Sequence, residues 1–554
     1  MTKLLGSEAL VQILKQEGVE YVFGLPGSTE LQFMDSLEAH PEIKYILGLH
    51  ESVSAAMAEG YARASGKVGV VNLHTFVGLG GAMPLLFNAR DGRVPLVVTA
   101  GQQDTRVLLQ EPVMSGDLLG MGKLFAKLSL EVTNAHDIPL AMRRAFKVAT
   151  QPPAGPVFVS LPQNIMEESI DFAYSPTPPL SLSRRRPDGE SIDRVAKLLV
   201  GARNPLLLLG DEVAKHDAMT EAVELAELTG AAVYQMFTPD VDIPATHPQY
   251  LGELGFGTQP LKEAFSSVDV LVAVGVPLFV VPFYPSDPVV TEKTRVVQIS
   301  SDPWEIGKNL PLEAGIDGDV KLSLSALNEA LGERMTAEAR KAAAERAKKV
   351  AVKKAELSAS LLERARRERD NIPIAASRLM QELAGALKPG MVLVNDSWSY
   401  SVPLRRYIGL TEPKSYYPRN GISIGWGLPA ALGVKLACPE RPVVAVVGDG
   451  SAMFSIQSLW TAAHYKIPVT YVICANASYR LVKLTKFLQM GSGAMHRVMG
   501  MNFAEPKIDF CQIARAVGVS GRRVERPDEL GDALRSALSL EAPSVVEVAI
   551  DGGF

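Results

Sequence analysis

Short apolar runs rich in β-branched residues alternate along this chain with longer stretches whose apolar positions recur every three or four residues. In the first third the runs fall at residues 21–25, 68–73, 96–100 and 157–161, separated by helical segments at 52–63 and after Gly80. A second set occupies 205–209, 232–235, 268–274 and 295–299. The last third, from about Ile372, repeats the alternation, most clearly at 443–447 and 469–474. Strands buried on both faces read as continuous apolar runs, and strands alternating with helices build parallel sheets covered on both sides. The pattern predicts an α/β protein with three doubly wound parallel-sheet domains.

Two segments interrupt it. Residues 175–187 hold four prolines, several serines and Arg184-Arg185-Arg186, which reads as an exposed linker whose arginines form a solvated turn. Residues 335–369 are dense in Ala, Glu, Lys and Arg, as suits an exposed helix between domains. The predicted domains are therefore 1–175, 188–334 and 371–554, with a helical connector at 335–370. Residues 2–18 are predicted as an amphipathic helix with Ser7 as its N-cap. Residues 68–89 carry no formal charge, but Asn72, His74, the Gly78-Leu79-Gly80-Gly81 run and Pro84 argue for strand, glycine turn and helix rather than a membrane span.

With 47% hydrophobic and 21% charged residues, the 554-residue chain has the composition of a cored globular protein. A net charge of −5 gives no field drawing the whole molecule to nucleic acid or anionic lipid. The cysteines Cys438, Cys474 and Cys511 make no CxxC pair; they read as buried, inert thiols of a reducing cytoplasm, and no secretory signal opens the chain. No GxGxxG follows the first strand of the middle region, so dinucleotide binding has little support there.

The chemistry gathers at Gly448-Asp449-Gly450-Ser451, directly after the run at 443–447, and at Asn476, directly after the run at 469–474. Open parallel sheets bind ligands at the carboxyl ends of their strands, and here those ends offer a carboxylate, an amide oxygen and backbone carbonyls, an oxygen set suited to Mg²⁺. A GDG followed by Asn after one helix and one strand resembles the thiamine diphosphate enzymes. The likeness extends to Leu25-Pro26-Gly27-Ser28-Thr29-Glu30-Leu31, to Glu51 within HESVSAAMAEGYARASGK, to Asn72-Leu73-His74 and to Val98-Thr99-Ala100-Gly101-Gln102-Gln103. Across nearly the whole chain the sequence resembles the 2-oxoacid decarboxylase and acetolactate synthase superfamily, especially its benzoylformate decarboxylase branch.

That resemblance implies pyrimidine-binding, middle and diphosphate-binding domains, with thiamine diphosphate and Mg²⁺ as cofactors. It implies that Glu51 shares a proton with N1′ of the aminopyrimidine, which lets the cofactor form a C2 ylide and then an enamine by decarboxylation of a 2-oxoacid. Asp449, Asn476 and the Ser478 carbonyl would hold the metal, and Gly448, Gly450, Ser451, Trp398 and Ser399 would line the diphosphate. Ile424 would wedge the cofactor into its bent shape, with Ile422 giving a backbone carbonyl to the aminopyrimidine. Ser28 and His74 would bind the substrate carboxylate and move protons, and Leu481 and Thr485 would line the pocket. The chain departs from the family at Ala475 and Ala477, where Asn and Gly are common. It also lacks the middle-domain histidine of the decarboxylase: residues 275–284 read GVPLFVVPFY, with Pro282 near the expected place.

Two other functions remain open in the sequence. The same cofactor serves carboligation, as in acetolactate synthases, and acyl-CoA lyase chemistry; alternatively the protein binds the cofactor without turnover. The family's site is shared between subunits, so the resemblance implies a homodimer at least, and a homotetramer of two such pairs, acting on a small 2-oxoacid or aldehyde.

Overall fold

The computed structural model describes residues 2–176, 184–236, 240–255, 258–278 and 288–553. Three six-stranded sheets carry it, and every strand pairing within them is parallel. The amino-terminal sheet runs Lys44–Leu47, Tyr21–Leu25, Gly69–Leu73, Leu96–Gln102, Val157–Pro162, Ser129–Glu131. The carboxyl-terminal sheet runs Tyr416–Pro418, Val392–Asp396, Val443–Gly448, Val469–Ala475, Ser544–Ala549, Ser520–Val524. Numbered in chain order, both sheets read 2-1-3-4-6-5. In each, the order reverses between the first and third strands, where diverging loops leave a crevice at the carboxyl edge. The middle sheet, Tyr250–Glu253, Ala232–Gln235, Pro205–Leu209, Val270–Val274, Arg295–Ser300, Ala314–Asp317, reads 3-2-1-4-5-6 instead.

Several local expectations are corrected. Thr2–Leu5 is a strand paired antiparallel with Ser169–Phe172, so the first helix starts only at Gly6. Ser7 lies inside its first turn and accepts a hydrogen bond from the Ser36 hydroxyl at 2.8 Å instead of capping. The glycine run makes no turn: the helix Thr75–Asp91 begins straight after its strand and contains Gly78 to Gly81 and Pro84. The physical reason is close packing, since a Cβ on Gly81 would lie 2.6 Å from Oε2 of Glu51. Arg184 to Arg186 are exposed, as the linker reading expects, though Arg185 also pairs with Asp317 at 2.8 Å and bonds the Ser301 carbonyl, tying the linker to the middle sheet. Ser129–Glu131, Tyr250–Glu253 and Ala314–Asp317 are short strands with mixed burial, which is why no continuous apolar run marks them.

The amino- and carboxyl-terminal domains share one core, built on the helices Glu51–Ser65 and Gly427–Ala437. Two glycines permit their approach: a Cβ on Gly60 would meet the Ala430 carbonyl oxygen at 2.2 Å, and one on Gly433 the Met57 carbonyl oxygen at 1.9 Å. Rising numbers on one helix meet falling numbers on the other, so the pair is antiparallel. At its far end Arg63 lies 5.3 Å from the centre of the Trp426 ring system and 5.5 Å from that of Tyr417, and bonds Asp240 at 2.6 Å. The helix Ala337–Arg367 is largely exposed, as its composition predicts.

Candidate active site

The amino-terminal half-site stands on the carboxyl ends of three neighbouring strands. Ser28 opens a 3₁₀ turn, Ser28–Glu30, after Tyr21–Leu25; Glu51 begins a helix after Lys44–Leu47; His74 caps the helix that follows Gly69–Leu73. Ser28 is exposed, whereas Glu51 lies against the glycine face of Thr75–Asp91 with its side chain 17% exposed. His74 is fixed by neighbours that the motifs alone do not assign. Its Nδ1 is 2.9 Å from Oε2 of Glu30 and 3.0 Å from Oγ1 of Thr29. Glu30 is buried and itself accepts from the Gly101 and Gly27 amides at 2.9 and 2.8 Å and from the Thr29 hydroxyl at 2.7 Å. A carboxylate beside Nδ1 selects the tautomer protonated there and turns Nε2 toward the weakly hydrogen-bonding sulfur of Met114 at 3.4 Å, from which it could act as acid or base. The ring also stacks so tightly on Gly27 that a Cβ there would lie 2.2 Å from it.

The carboxyl-terminal half-site repeats this plan on its twin sheet. Asp449 is almost fully buried, and its hydrogen bonds come from backbone amides: Gly450 at 2.8 Å, Asn476 at 2.7 Å and Ala477 at 2.6 Å. Burial pushes its carboxyl up to about 6 despite these donors. The Asn476 amide oxygen accepts from the Ser478 amide at 2.9 Å, and its Nδ2 donates to the Tyr400 hydroxyl at 2.8 Å. Ala477 adopts φ +54°, a left-handed conformation that costs a non-glycine residue roughly 1–2 kcal/mol. The loop therefore keeps the glycine-like backbone shape that this chain's alanine strains.

The first strand of the sheet supplies a second layer. Asp396 pairs with Arg419 at 3.0 Å, accepts from the Gly427 amide at 3.0 Å, and accepts a short bond from the Ser451 hydroxyl. That bond ties the GDG turn to the strand end and occupies the Ser451 side chain. Arg419 stacks 4.0 Å from the centre of the Trp398 ring, and burial lowers its pKa to about 10. Trp398 and Ser399 sit in the 3₁₀ turn Trp398–Tyr400, which leads directly into helix Ser401–Tyr407. Gly448 has room, since an added Cβ would find its nearest atoms at 3.9 Å. Ile424 is half-buried and Ile422 is 78% exposed. Leu481 and Thr485 lie on Arg480–Met490, a helix with no buried residue. Pro282 lies outside the described residues.

Within one chain the two half-sites are held apart. Glu51 and Arg63 stand twelve residues apart on one helix, roughly 18 Å at 1.5 Å per residue, and it is Arg63 that meets Trp426 beside the Ile422 to Ile424 loop. Both half-sites leave apolar side chains uncovered, Val113 at 82% exposure near His74 and Phe454 at 55% after the GDG turn.

Twin switch-point crevices, one bearing a carboxylate with a carboxylate-held histidine and the other an oxygen-lined GDG loop, define an enzyme class that three family descriptions match. The "Thiamine pyrophosphate enzyme" N-terminal TPP binding, central and C-terminal TPP binding domains match residues 5–119, 192–327 and 399–548. The chain belongs to the thiamine pyrophosphate-dependent enzymes. It is 32% identical to a benzoylformate decarboxylase of Pseudomonas aeruginosa over 550 residues, 98% of each chain. It is 30% identical to an acetolactate synthase large subunit of Haemophilus influenzae, covering 100% of this chain and 95% of that one. Among solved structures, a benzoylformate decarboxylase from Polynucleobacter necessarius matches with TM-score 0.87 at 28% identity and 99% coverage of each chain. A thiamine diphosphate-dependent 4-hydroxybenzoylformate decarboxylase of Rhodococcus jostii matches with TM-score 0.84, at 29% identity and 99% coverage of each chain. No helix among the described residues is long and apolar enough to cross a membrane.

Proposed function

We propose that the protein is a Mg²⁺- and thiamine diphosphate-dependent lyase that decarboxylates a 2-oxoacid, working as a homodimer or as a homotetramer of two such dimers. The observation that carries the reading is the separation of complementary half-sites at opposite ends of the antiparallel helix pair. A second copy reunites them by setting the Glu51 crevice of one chain over the GDG crevice of the other, which also covers both exposed apolar surfaces.

The donor set suits the metal. Asp449 is a buried carboxylate whose described hydrogen bonds come only from amides, beside an amide oxygen at Asn476 and the Ser478 carbonyl, all hard oxygen donors. When bound, thiamine diphosphate supplies the electron sink for loss of CO₂. Glu51 would hold and return the proton at N1′, and the Ile424 side chain would support the bent cofactor. His74, oriented through Glu30, would carry a proton at Nε2, and the exposed Ser28 hydroxyl would bind the substrate carboxylate. Residues 275–284 hold no histidine, so the proposed pocket has one fewer acid or base than the decarboxylase branch. The acetolactate synthase relatives support a second reading, transfer of the acyl unit to another carbonyl. The holoprotein incubated with 2-oxoacids alone is expected to release CO₂ and the matching aldehyde, identified by mass. A hydroxyketone as main product would favour the second reading, and no product from any 2-oxoacid or 2-hydroxyacyl thioester would favour a binding protein.

The raised Asp449 carboxyl gives the metal a pH signature. Ionising it opposes folding, so the apoprotein loses on the order of 3 kcal/mol as pH rises from the ordinary aspartate value through about 6, and a bound cation restores it. Below about 6 the proton competes with the cation, and apparent Mg²⁺ affinity should fall about tenfold per pH unit. Melting temperatures with and without Mg²⁺ should therefore differ more at pH 7.5 than at pH 5. An equal difference at both would remove Asp449 from the metal site.

A further inference from the structure

Asn88 lies in the fourth turn of Thr75–Asp91, fully buried, on the same helix that packs against Glu51. Its side-chain amide grips one residue of the carboxyl-terminal domain from both sides. Nδ2 donates to the Ser423 carbonyl at 2.8 Å, and the Ser423 amide donates to Oδ1 at 3.0 Å. Gly421 makes room for the grip, since a Cβ there would lie 2.0 Å from Oδ1.

The consequence follows from peptide geometry. In a trans peptide the N–H and the preceding C=O lie in one plane and point in opposite directions. The Ser423 N–H shares its plane with the Ile422 carbonyl, and the Ser423 carbonyl shares its plane with the Ile424 N–H. Fixing both Ser423 groups on Asn88 turns the Ile422 carbonyl and the Ile424 amide to the opposite side, away from the amino-terminal domain of the same chain. Ile422 is the exposed residue of this loop and Gly425, with φ +93°, ends it with an amide held by the Ser451 hydroxyl at 2.8 Å. The loop is thus clamped at both ends, by Asn88 on one domain and by the GDG turn on the other.

We infer that Asn88 is a positioning residue that aims the Ile422 carbonyl as the acceptor for the cofactor's 4′-amino group. This rests on the cofactor assignment above and goes beyond it in making a residue of the amino-terminal domain set the recognition of the aminopyrimidine bound by its own chain. Asn88 touches no cofactor atom; it acts through Ser423.

The test compares thiamine diphosphate with an analogue carrying hydrogen in place of the 4′-amino group, each titrated calorimetrically in Mg²⁺. Wild type should prefer the natural cofactor by roughly tenfold, the scale of one well-made hydrogen bond. In Asn88→Ala the preference should shrink below about twofold while both ligands still bind through the diphosphate. Gly421→Ala, whose methyl group would displace the Asn88 amide from the other side, should reproduce the loss and serves if Asn88→Ala folds poorly. A purely structural role would weaken both ligands equally. Retention of the full wild-type preference in both variants would overturn the inference, as would a wild type that binds both ligands alike. Binding of neither ligand by wild type would instead overturn the cofactor assignment.

Discussion

Replacing Glu51 with Gln is expected to lower turnover by about two to four orders of magnitude, the usual scale for a positioned acid or base, while thiamine diphosphate binding changes little. Glutamine keeps the length and hydrogen-bonding capacity of the side chain but cannot hold and return a proton. The surroundings leave little room for compensation. Glu51 lies on a helical face cleared by Gly78 and Gly81, and His50, 3.9 Å away, is spent as the helix cap that accepts from the Ser52 amide. At the first residue of the helix, loss of the carboxylate also removes a favourable interaction with the helix dipole, a stability change of only about 0.3–1 kcal/mol. Steady-state turnover set against calorimetric cofactor binding separates the two effects. Wild-type turnover in Glu51→Gln would remove the carboxylate from the chemistry.

The largest recovery is expected from mixing two inactive proteins. Glu51→Gln and Asp449→Ala each disable both sites of their own homodimer. If each site draws Glu51 from one chain and Asp449 from the other, a mixed dimer carries one site with both changes and one intact site. Random reassortment makes about half the dimers mixed, so unfolding and refolding the two together should restore about a quarter of wild-type activity. The roughly 18 Å of helix between Glu51 and the Trp426 end of its own chain is the reason for this expectation. If each chain completed its own site, the mixture would stay as inactive as its parts, and the proposed shared site would fall with it.

Much of the site is legible in the chain because its parts are local. Asp449, Gly450 and Asn476 are read from two apolar runs and the polar residues at their ends, and a strand end fixes where such residues must point. Glu51 is read in the same way, as the acid that opens a helix. The glycine run at 78–81 is misread for the opposite reason. Glycine disfavours an isolated helix, but here the missing side chain of Gly81 makes room for Glu51, a gain that appears only when the two helices pack. Glu30 lies in a quoted motif yet its grip on His74 joins loops 44 residues apart, and the Asn88 contact with Ser423 joins residues 335 apart.

The sequence alone determined three sheets of apolar strands, the oxygen donors at two strand ends and the acid at a helix start, because burial periodicity and turn chemistry act between near neighbours. Only the tertiary structure decided that the first and last sheets share one strand order, that Glu30 bonds His74, that Asn88 bonds Ser423 across the two domains, and that Glu51 stands at the opposite end of its helix from the Arg63 contact with Trp426. These are facts of helix crossing and of contacts between distant segments, set by close approaches such as Gly60 on Ala430 and Gly433 on Met57, and no periodicity along one chain encodes where two helices will cross.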